Sequence, residues 1–90
     1  MSQAIVNPAE LRRFAQTLKN FSAELTNQMS LLQRQMASLG ESWRDQEHLK
    51  FVDEFQQQMP AIGRFADAAN QYTSFLIRKA ERAEEYLRQR

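Results

Sequence analysis

The side chains most capable of chemistry are a single histidine and its acidic neighbours. His48 follows Asp45 and Glu47, a grouping that contains part of what a metal site needs. One imidazole with scattered carboxylates and no cysteine is a weak metal-binding pattern, because structural zinc sites draw four ligands from closely spaced histidines and cysteines. We therefore expect His48 to lie on the surface or at the edge of an interface, and we expect no metal or other cofactor.

The remaining acidic residues lack the partners that catalysis requires. The chain has no serine or cysteine nucleophile motif and no glycine-rich phosphate loop. With only two glycines and no long loop, it has little with which to enclose a pocket. The carboxylates are most simply interpreted as the solvated side of a helix, namely Asp53, Glu54, Glu81, Glu84 and Glu85. The sequence therefore predicts a protein that is not an enzyme.

The charge balance argues against two large classes of partner. Twelve basic and eleven acidic residues are interspersed, for a formal net charge of +1, which does not create the single-sign field that nucleic acids attract. No apolar run reaches the roughly twenty residues of a membrane span, and MSQAIVNPAE at the N-terminus lacks the features of a cleaved signal peptide. We expect no nucleic acid and no membrane insertion, and a location that is either cytoplasmic or reached by non-classical secretion.

Capping signals divide the chain into two long helices. Asn7 is a suitable N-cap for a helix whose first residue is Pro8. Gly40 is placed to end that helix in a left-handed conformation, and Ser42 with Asp45 repeats the capping spacing for a second helix. The sequence predicts one all-α domain, an antiparallel two-helix hairpin over 1–90, with helix one at about 8–39, a bend at about 40–42 and helix two at about 43–88.

Pro60 is the feature of helix two that conflicts with a regular helix. A proline inside a helix removes one hydrogen bond and clashes with the carbonyl four residues earlier. Because the apolar spacing keeps its phase across Pro60, we expect a kink in a continuous helix, with a true break into two helices as the alternative.

Apolar residues recur at alternating intervals of three and four, which is coiled-coil spacing. Gln28 and Gln35 interrupt the seam of helix one, and helix two carries a second apolar seam beside its first. Two helices share only one mutual face, so the apolar surface of helix two exceeds what helix one can cover. This excess predicts a second chain, most simply two hairpins dimerising into a four-helix bundle. We expect Gln56, Gln57 and Gln58 to lie outside the shared core. The predicted interface consists of Leu18, Phe21, Leu25, Phe55, Met59, Ile62, Phe65, Ala69, Tyr72 and Leu76.

Trp43 is the only tryptophan and lies at the predicted bend. A large ring there can cover the end of the bundle, with its indole N–H left for water or a partner. It can equally be the residue that an outside receptor recognises. The sequence leaves both roles open.

In three features the chain resembles the WXG family, whose members are small helical-hairpin proteins of type VII secretion. They are the helix start Asn7-Pro8-Ala9-Glu10, a tryptophan at mid-length and Phe51 about two turns later. The family motif is Trp-x-Gly, whereas this chain has Trp43-Arg44-Asp45, and the family's terminal Tyr-x-x-x-Asp/Glu signal corresponds to Tyr86 followed by Arg90. The resemblance implies recognition roles for Trp43, Asp45, Phe51 and Tyr86.

The resemblance also implies a function and partners. The chain is expected to be a secreted substrate, or an escort of a secreted protein, that pairs with itself or with a related hairpin. A secretion ATPase or a toxin cargo is a further implied partner. The alternative is a structural or adaptor hairpin unrelated to export, such as a filament subunit like those of type III secretion needles.

Overall fold

The computed structural model describes residues 6–89, which form two long helices packed side by side. Helix α1 spans Pro8–Leu39 and helix α2 spans Gln46–Arg88. The molecule measures 68 × 20 × 13 Å, so it is a rod whose cross-section contains two helices. The predicted all-α antiparallel hairpin is confirmed. Within these residues neither helix has an apolar stretch long enough to cross a membrane.

Helix α1 begins as its sequence predicts. The side-chain Oδ1 of Asn7 accepts hydrogen bonds from the backbone N–H of Ala9 at 2.9 Å and of Glu10 at 3.3 Å. Pro8 occupies the first turn, where its missing N–H costs nothing. The observed bounds of α1 agree with the predicted 8–39.

Gly40 ends α1 in a different way from the one predicted. Its backbone is right-handed, with φ −64° and ψ −13°, and its N–H still donates to the carbonyl of Met36. The next two hydrogen bonds span three residues instead of four, because the Glu41 N–H donates to the carbonyl of Ser38 and the Ser42 N–H donates to the carbonyl of Leu39. The reversal is therefore spread over several residues, and no single left-handed residue is needed.

Helix α2 begins three residues later than predicted, so the bend comprises residues 40–45. Asp45 is its N-cap, and the carboxylate Oδ1 accepts the backbone N–H of His48 at 3.0 Å. Ser42 does not cap α2, since its hydroxyl donates to the carbonyl of Leu39 at 3.4 Å. Asp45 is the better cap because its carboxylate also interacts favourably with the positive end of the helix dipole.

Helix α2 runs through Pro60 without interruption. The alternative of a true break into two helices is therefore wrong. Met59 is buried and Pro60 is exposed, so the apolar side of the helix continues to face α1 while the proline ring lies outside. Packing of that face compensates for the hydrogen bond that Pro60 cannot donate.

Small side chains fill the contact between the helices. Ala15, Ala69 and Ala80 are completely buried, and Ser22 and Thr73 are nearly so. Small residues allow the backbones to approach closely, and the Ser22 hydroxyl crosses the contact to donate to the carbonyl of Ala66 at 3.2 Å. A core of this kind buries little apolar area, which leaves most large apolar side chains of the hairpin partly in water.

Candidate interaction surface

One broad side of the hairpin is apolar along most of its length. Its residues recur at intervals of seven, which places them on one side of each helix. In α1 they are Leu11, Phe14, Leu18, Phe21, Leu25, Gln28, Leu32, Gln35 and Leu39, and in α2 they are Phe51, Phe55, Gln58, Ile62, Phe65, Tyr72 and Leu76. The rings of Phe21 and Phe65 are in contact, with centroids 6.1 Å apart, so both sets share one surface. This surface, hereafter the front face, carries no charged residue.

The half of the front face nearer the chain ends bears protruding aromatic rings. Phe14, Phe21 and Tyr72 are 58, 51 and 55% exposed, and Phe65 is 47% exposed. Phe21 meets Phe65 edge to face, at an interplanar angle of 81°. Exposed apolar area costs roughly 25 cal/mol per Å² relative to burial. A contiguous row of such rings is typical of a protein interaction site.

The half of the front face nearer the bend contains an open groove of about 180 Å³. Its walls come from both helices and consist of Leu32, Gln35, Met36, Leu39, Phe51 and Phe55. Between the rings and this groove lie Gln28 and Gln58, each one heptad from Phe21 and Phe65 respectively. The front face therefore has a raised half and a recessed half, separated by two uncharged amides.

The predicted interface residues fall into three groups. Phe21, Phe65 and Tyr72 are exposed on the front face, whereas Leu18, Leu25, Phe55, Ile62 and Leu76 are half-buried at its base. Met59 and Ala69 are 8 and 0% exposed, because α1 of the same chain already covers them. These two residues belong to the core of the hairpin and offer no surface to a second chain. The pairing role of the other eight stays a prediction.

Two features of the surface escaped the sequence reasoning. Gln58, which we expected outside the shared core, lies on the front face one heptad before Phe65. Gln56 lines a separate groove, of about 520 Å³, together with Gln33 and Pro60. The two glutamines are about 200° apart around α2, since each residue turns the helix by about 100°. Only the rotation of α2 against α1 determines which of these two glutamines lies on the front face.

Trp43 packs against the first turns of α2. Its ring lies 5.0 Å from that of His48 and 5.8 Å from that of Phe51, and Phe51 lies 6.1 Å from Phe55. The indole is half-buried, so it both stabilises the bend and presents an edge to solvent. The structure thus brings Trp43 and Phe51 into contact, while Asp45 caps the same helix start through the backbone N–H of His48. These are three of the four residues to which the resemblance assigned recognition.

His48 is more enclosed than we expected. Its imidazole packs against Gly40, where an added Cβ would lie 3.3 Å from Cε1, and its Nε2 is buried with no hydrogen-bond partner. Among residues 6–89 there is no group of three side chains that could hold a metal ion. A glycine at position 40 therefore suits the contact, because a Cβ there would press against the imidazole and require it to shift by a few tenths of an ångström.

Tyr86, the fourth predicted recognition residue, lies at the other end of the rod. It is 51% exposed and sits near the end of α2, far from Trp43 within a molecule 68 Å long. Position 90, where the family's terminal acidic residue would fall, lies outside the described residues. Within one copy, the tyrosine and the tryptophan therefore form two separate sites.

An ion pair joins the two helices near the chain ends. Nε and Nη2 of Arg12 each donate to Glu84 at 2.9 Å. These hydrogen bonds hold the pKa of Glu84 below its ordinary value. Glu84 was expected on the solvated side of helix two, and nothing in the sequence pairs it with a residue 72 positions away.

The fold and the front face define a class of small antiparallel helical hairpins with one unpaired apolar side. The sequence matches the WXG100 family, described as proteins of 100 residues with WXG, over residues 3–86. This chain belongs to the WXG100 family.

Solved structures of a secreted protein, EsxB from Bacillus anthracis str. Sterne, are similar to this chain. The selenomethionine-labelled form is 27% identical with a TM-score of 0.78, and the match covers 96% of this chain and 98% of that one. A variant of EsxB with one proline replaced by alanine matches with a TM-score of 0.81 at 27% identity, covering 94% of this chain and 96% of that one. Among curated proteins, none matches this sequence.

Proposed function

We propose that this chain is a helical-hairpin protein of a type VII-like secretion system, acting as a secreted substrate or as the escort of one. Membership of the WXG100 family supports this role. The similarity to EsxB, which is described as a secreted protein, supports it further. In this function the protein leaves the cell by a non-classical route and works through binding surfaces.

The observation that carries the proposal is the uncovered front face. Its rings at Phe14, Phe21, Phe65 and Tyr72 are about half exposed in the single hairpin. A four-helix bundle with a second hairpin would cover them, because each helix of a bundle packs against two neighbours. The pairing surface is thus the functional part of this protein, and the partner is another helical hairpin.

The chain is a divergent member of the family at its motif. Asp45 stands where the family has glycine, and in this position it caps α2. We assign to Trp43 and Phe51 the role of an aromatic cluster that a secretion ATPase recognises at the bend. Because Arg90 replaces the expected terminal acid after Tyr86, the partner chain, a hairpin or a toxin cargo, supplies the complete export signal.

Secretion assays test the proposal directly. The protein carrying an epitope tag is expressed in a host with a type VII system and in the same host with the secretion ATPase inactivated. We expect the protein in the culture medium of the first strain only, while a cytoplasmic marker protein stays inside both. Equal amounts in the two media, or retention in both strains despite coexpression of neighbouring hairpin genes, would contradict a role in this pathway.

A further inference from the structure

We propose that Met29, Met36 and Met59 form a modification site, at which hydrogen peroxide converts thioethers to sulfoxides and thereby loosens the half of the hairpin nearer the bend. Three of the four methionines in the chain belong to this site. The response is a property of the folded hairpin itself and does not depend on export.

The three methionines occupy core positions of the two helices. Along α1 the positions that face α2 recur at intervals of seven, and they are Ala15, Ser22, Met29 and Met36. The Ser22 hydroxyl donates to the carbonyl of Ala66 in α2 at 3.2 Å, which defines one layer of the contact. Because the helices are antiparallel, one heptad from this layer towards the bend places Met29 beside Met59. The core therefore changes from small side chains to thioethers in the half nearer the bend.

An open groove gives solvent access to these side chains. Its volume is about 520 Å³, and its walls include all three methionines together with Gln56 and Pro60. A water molecule occupies about 30 Å³ of liquid, and hydrogen peroxide is only one oxygen atom larger, so the oxidant fits. Met29 and Met36 are half-buried, whereas Met59 is only 8% exposed. This methionine groove thus presents two thioethers to solvent and leaves the third in the contact between the helices.

The reaction requires only the peroxide and a thioether. A lone pair on Sδ attacks one peroxide oxygen, the O–O bond breaks and an S–O bond forms. The departing hydroxide takes the proton from the transferred oxygen, so the products are one sulfoxide and one water. The sulfur loses two electrons and the peroxide gains them. Leucine, which is common at the apolar positions of α1, has no atom that reacts in this way.

The effect of oxidation depends on the depth of the side chain. A sulfoxide oxygen is a hydrogen-bond acceptor, and a buried acceptor without a donor destabilises a fold. At Met29 and Met36 the oxygen can turn into the groove and bind water. At Met59 it either stays unpaired in the helix contact or pushes the helices apart. Oxidation of Met59 is therefore the step that loosens the hairpin.

The methionine groove is also connected to the front face. Met36 and Phe55 line both this groove and the groove of about 180 Å³ on the front face. A sulfoxide at Met36 makes one wall of that apolar groove polar. Oxidation thus changes the front face as well as the core.

Peroxide treatment of the purified protein tests the site. The parent, Met59→Leu and the double variant Met29→Leu/Met36→Leu are compared, because leucine keeps the apolar volume of methionine. Peptide mass spectrometry locates each sulfoxide by its added mass of about 16 Da, and circular dichroism measures the Tm. In the parent we expect sulfoxides first at Met29 and Met36 and later at Met59, whose oxidation lowers the Tm by at least about 5 °C. Met59→Leu should lose less than about half as much, and the double variant about as much as the parent.

Repair of the oxidised parent provides an arm that needs no substitution. Methionine sulfoxide reductases with a thiol reductant return sulfoxides to thioethers. They should restore the Tm, whereas a change caused by oxidised Trp43 would persist.

Three results would overturn the proposal. Unmodified Met29 and Met36, in a sample where added free methionine is fully oxidised, would show that the groove does not admit the oxidant. Oxidation of all three methionines with an unchanged Tm would show that the sulfoxides do not loosen the hairpin. Equal losses in the parent and in Met59→Leu would exclude Met59 as the cause.

Discussion

The indole ring of Trp43 lies between the end of α1 and the first turns of α2, where it contacts His48 and Phe51. Both roles that the sequence left open have a basis in these contacts. The packed side of the ring holds the bend together, and the exposed edge is available to a receptor. Gly40 supports the same cluster by leaving room for the imidazole.

Replacing Trp43 separates the two roles. We expect Trp43→Ala to lower the free energy of unfolding by about 2 kcal/mol, less than the roughly 3–5 kcal/mol of a fully buried aromatic ring, because the indole is only half-buried. Urea denaturation followed by circular dichroism measures the loss. Trp43→Phe is the control and should retain most of the stability. If Trp43→Ala is as stable as the parent, the ring does not hold the bend, and any loss of export by that variant reports recognition alone.

Proline and glycine usually weaken or end a helix, yet the two helices and the bend accommodate Pro60, Gly63 and Gly40, each in a different way. Pro60 lies on the exposed side of α2, so the helix continues through it. Gly63 follows one turn later, and a Cβ placed there would meet nothing within 4 Å. Gly40, by contrast, ends α1 against the side chain of His48. An added methyl group would therefore be crowded at the bend and unobstructed inside the helix.

Alanine at the two glycines should give opposite results. Gly63→Ala is expected to raise the free energy of unfolding by about 0.5–1 kcal/mol, because alanine loses less backbone entropy in a helix and nothing obstructs its methyl group. Gly40→Ala is the matched comparison and should give no gain or a loss, since its methyl group lies 3.3 Å from the imidazole. Thermal melts of both variants beside the parent provide the test. A gain at Gly40 as large as that at Gly63 would show that the imidazole moves aside freely.

The whole molecule is a thin rod whose large apolar side chains lie mainly outside its own core. The contact between α1 and α2 is filled by alanine, serine and threonine together with Met59. We expect a chain of ninety residues with so small a core to gain much of its stability from association with a second hairpin. In the proposed function, the front face thus serves both pairing and stability.

A charge placed on the front face should weaken the expected pairing of two hairpins. We expect Gln58→Glu to raise the dissociation constant at least about tenfold, because pairing buries an unpaired carboxylate against the rings of the second copy. Gln56→Glu makes the same chemical change on the other side of α2 and should leave the constant unchanged. Sedimentation equilibrium at several concentrations measures both. Equal effects of the two substitutions would mean that the front face is not the pairing surface.

The sequence by itself determined the class of fold, the bounds of α1 and the surplus of apolar surface. These follow from local signals, namely the Asn7 cap, the scarcity of glycine and proline, and apolar spacing that repeats every turn or two. The start of α2 was missed by three residues, because Ser42 and Asp45 are both good caps and only the hydrogen bonds show which one is used.

Only the tertiary structure decided which apolar residues remain outside. Met59 and Ala69 have the same periodicity as Phe65 and Tyr72, yet the first two are covered by α1 and the last two are exposed. A heptad pattern defines a wide apolar stripe, and the rotation of α2 against α1 selects the part that faces inward. The placement of Gln58 on the front face and the pairing of Arg12 with Glu84 depend on that same rotation and register, which arise from packing between distant residues.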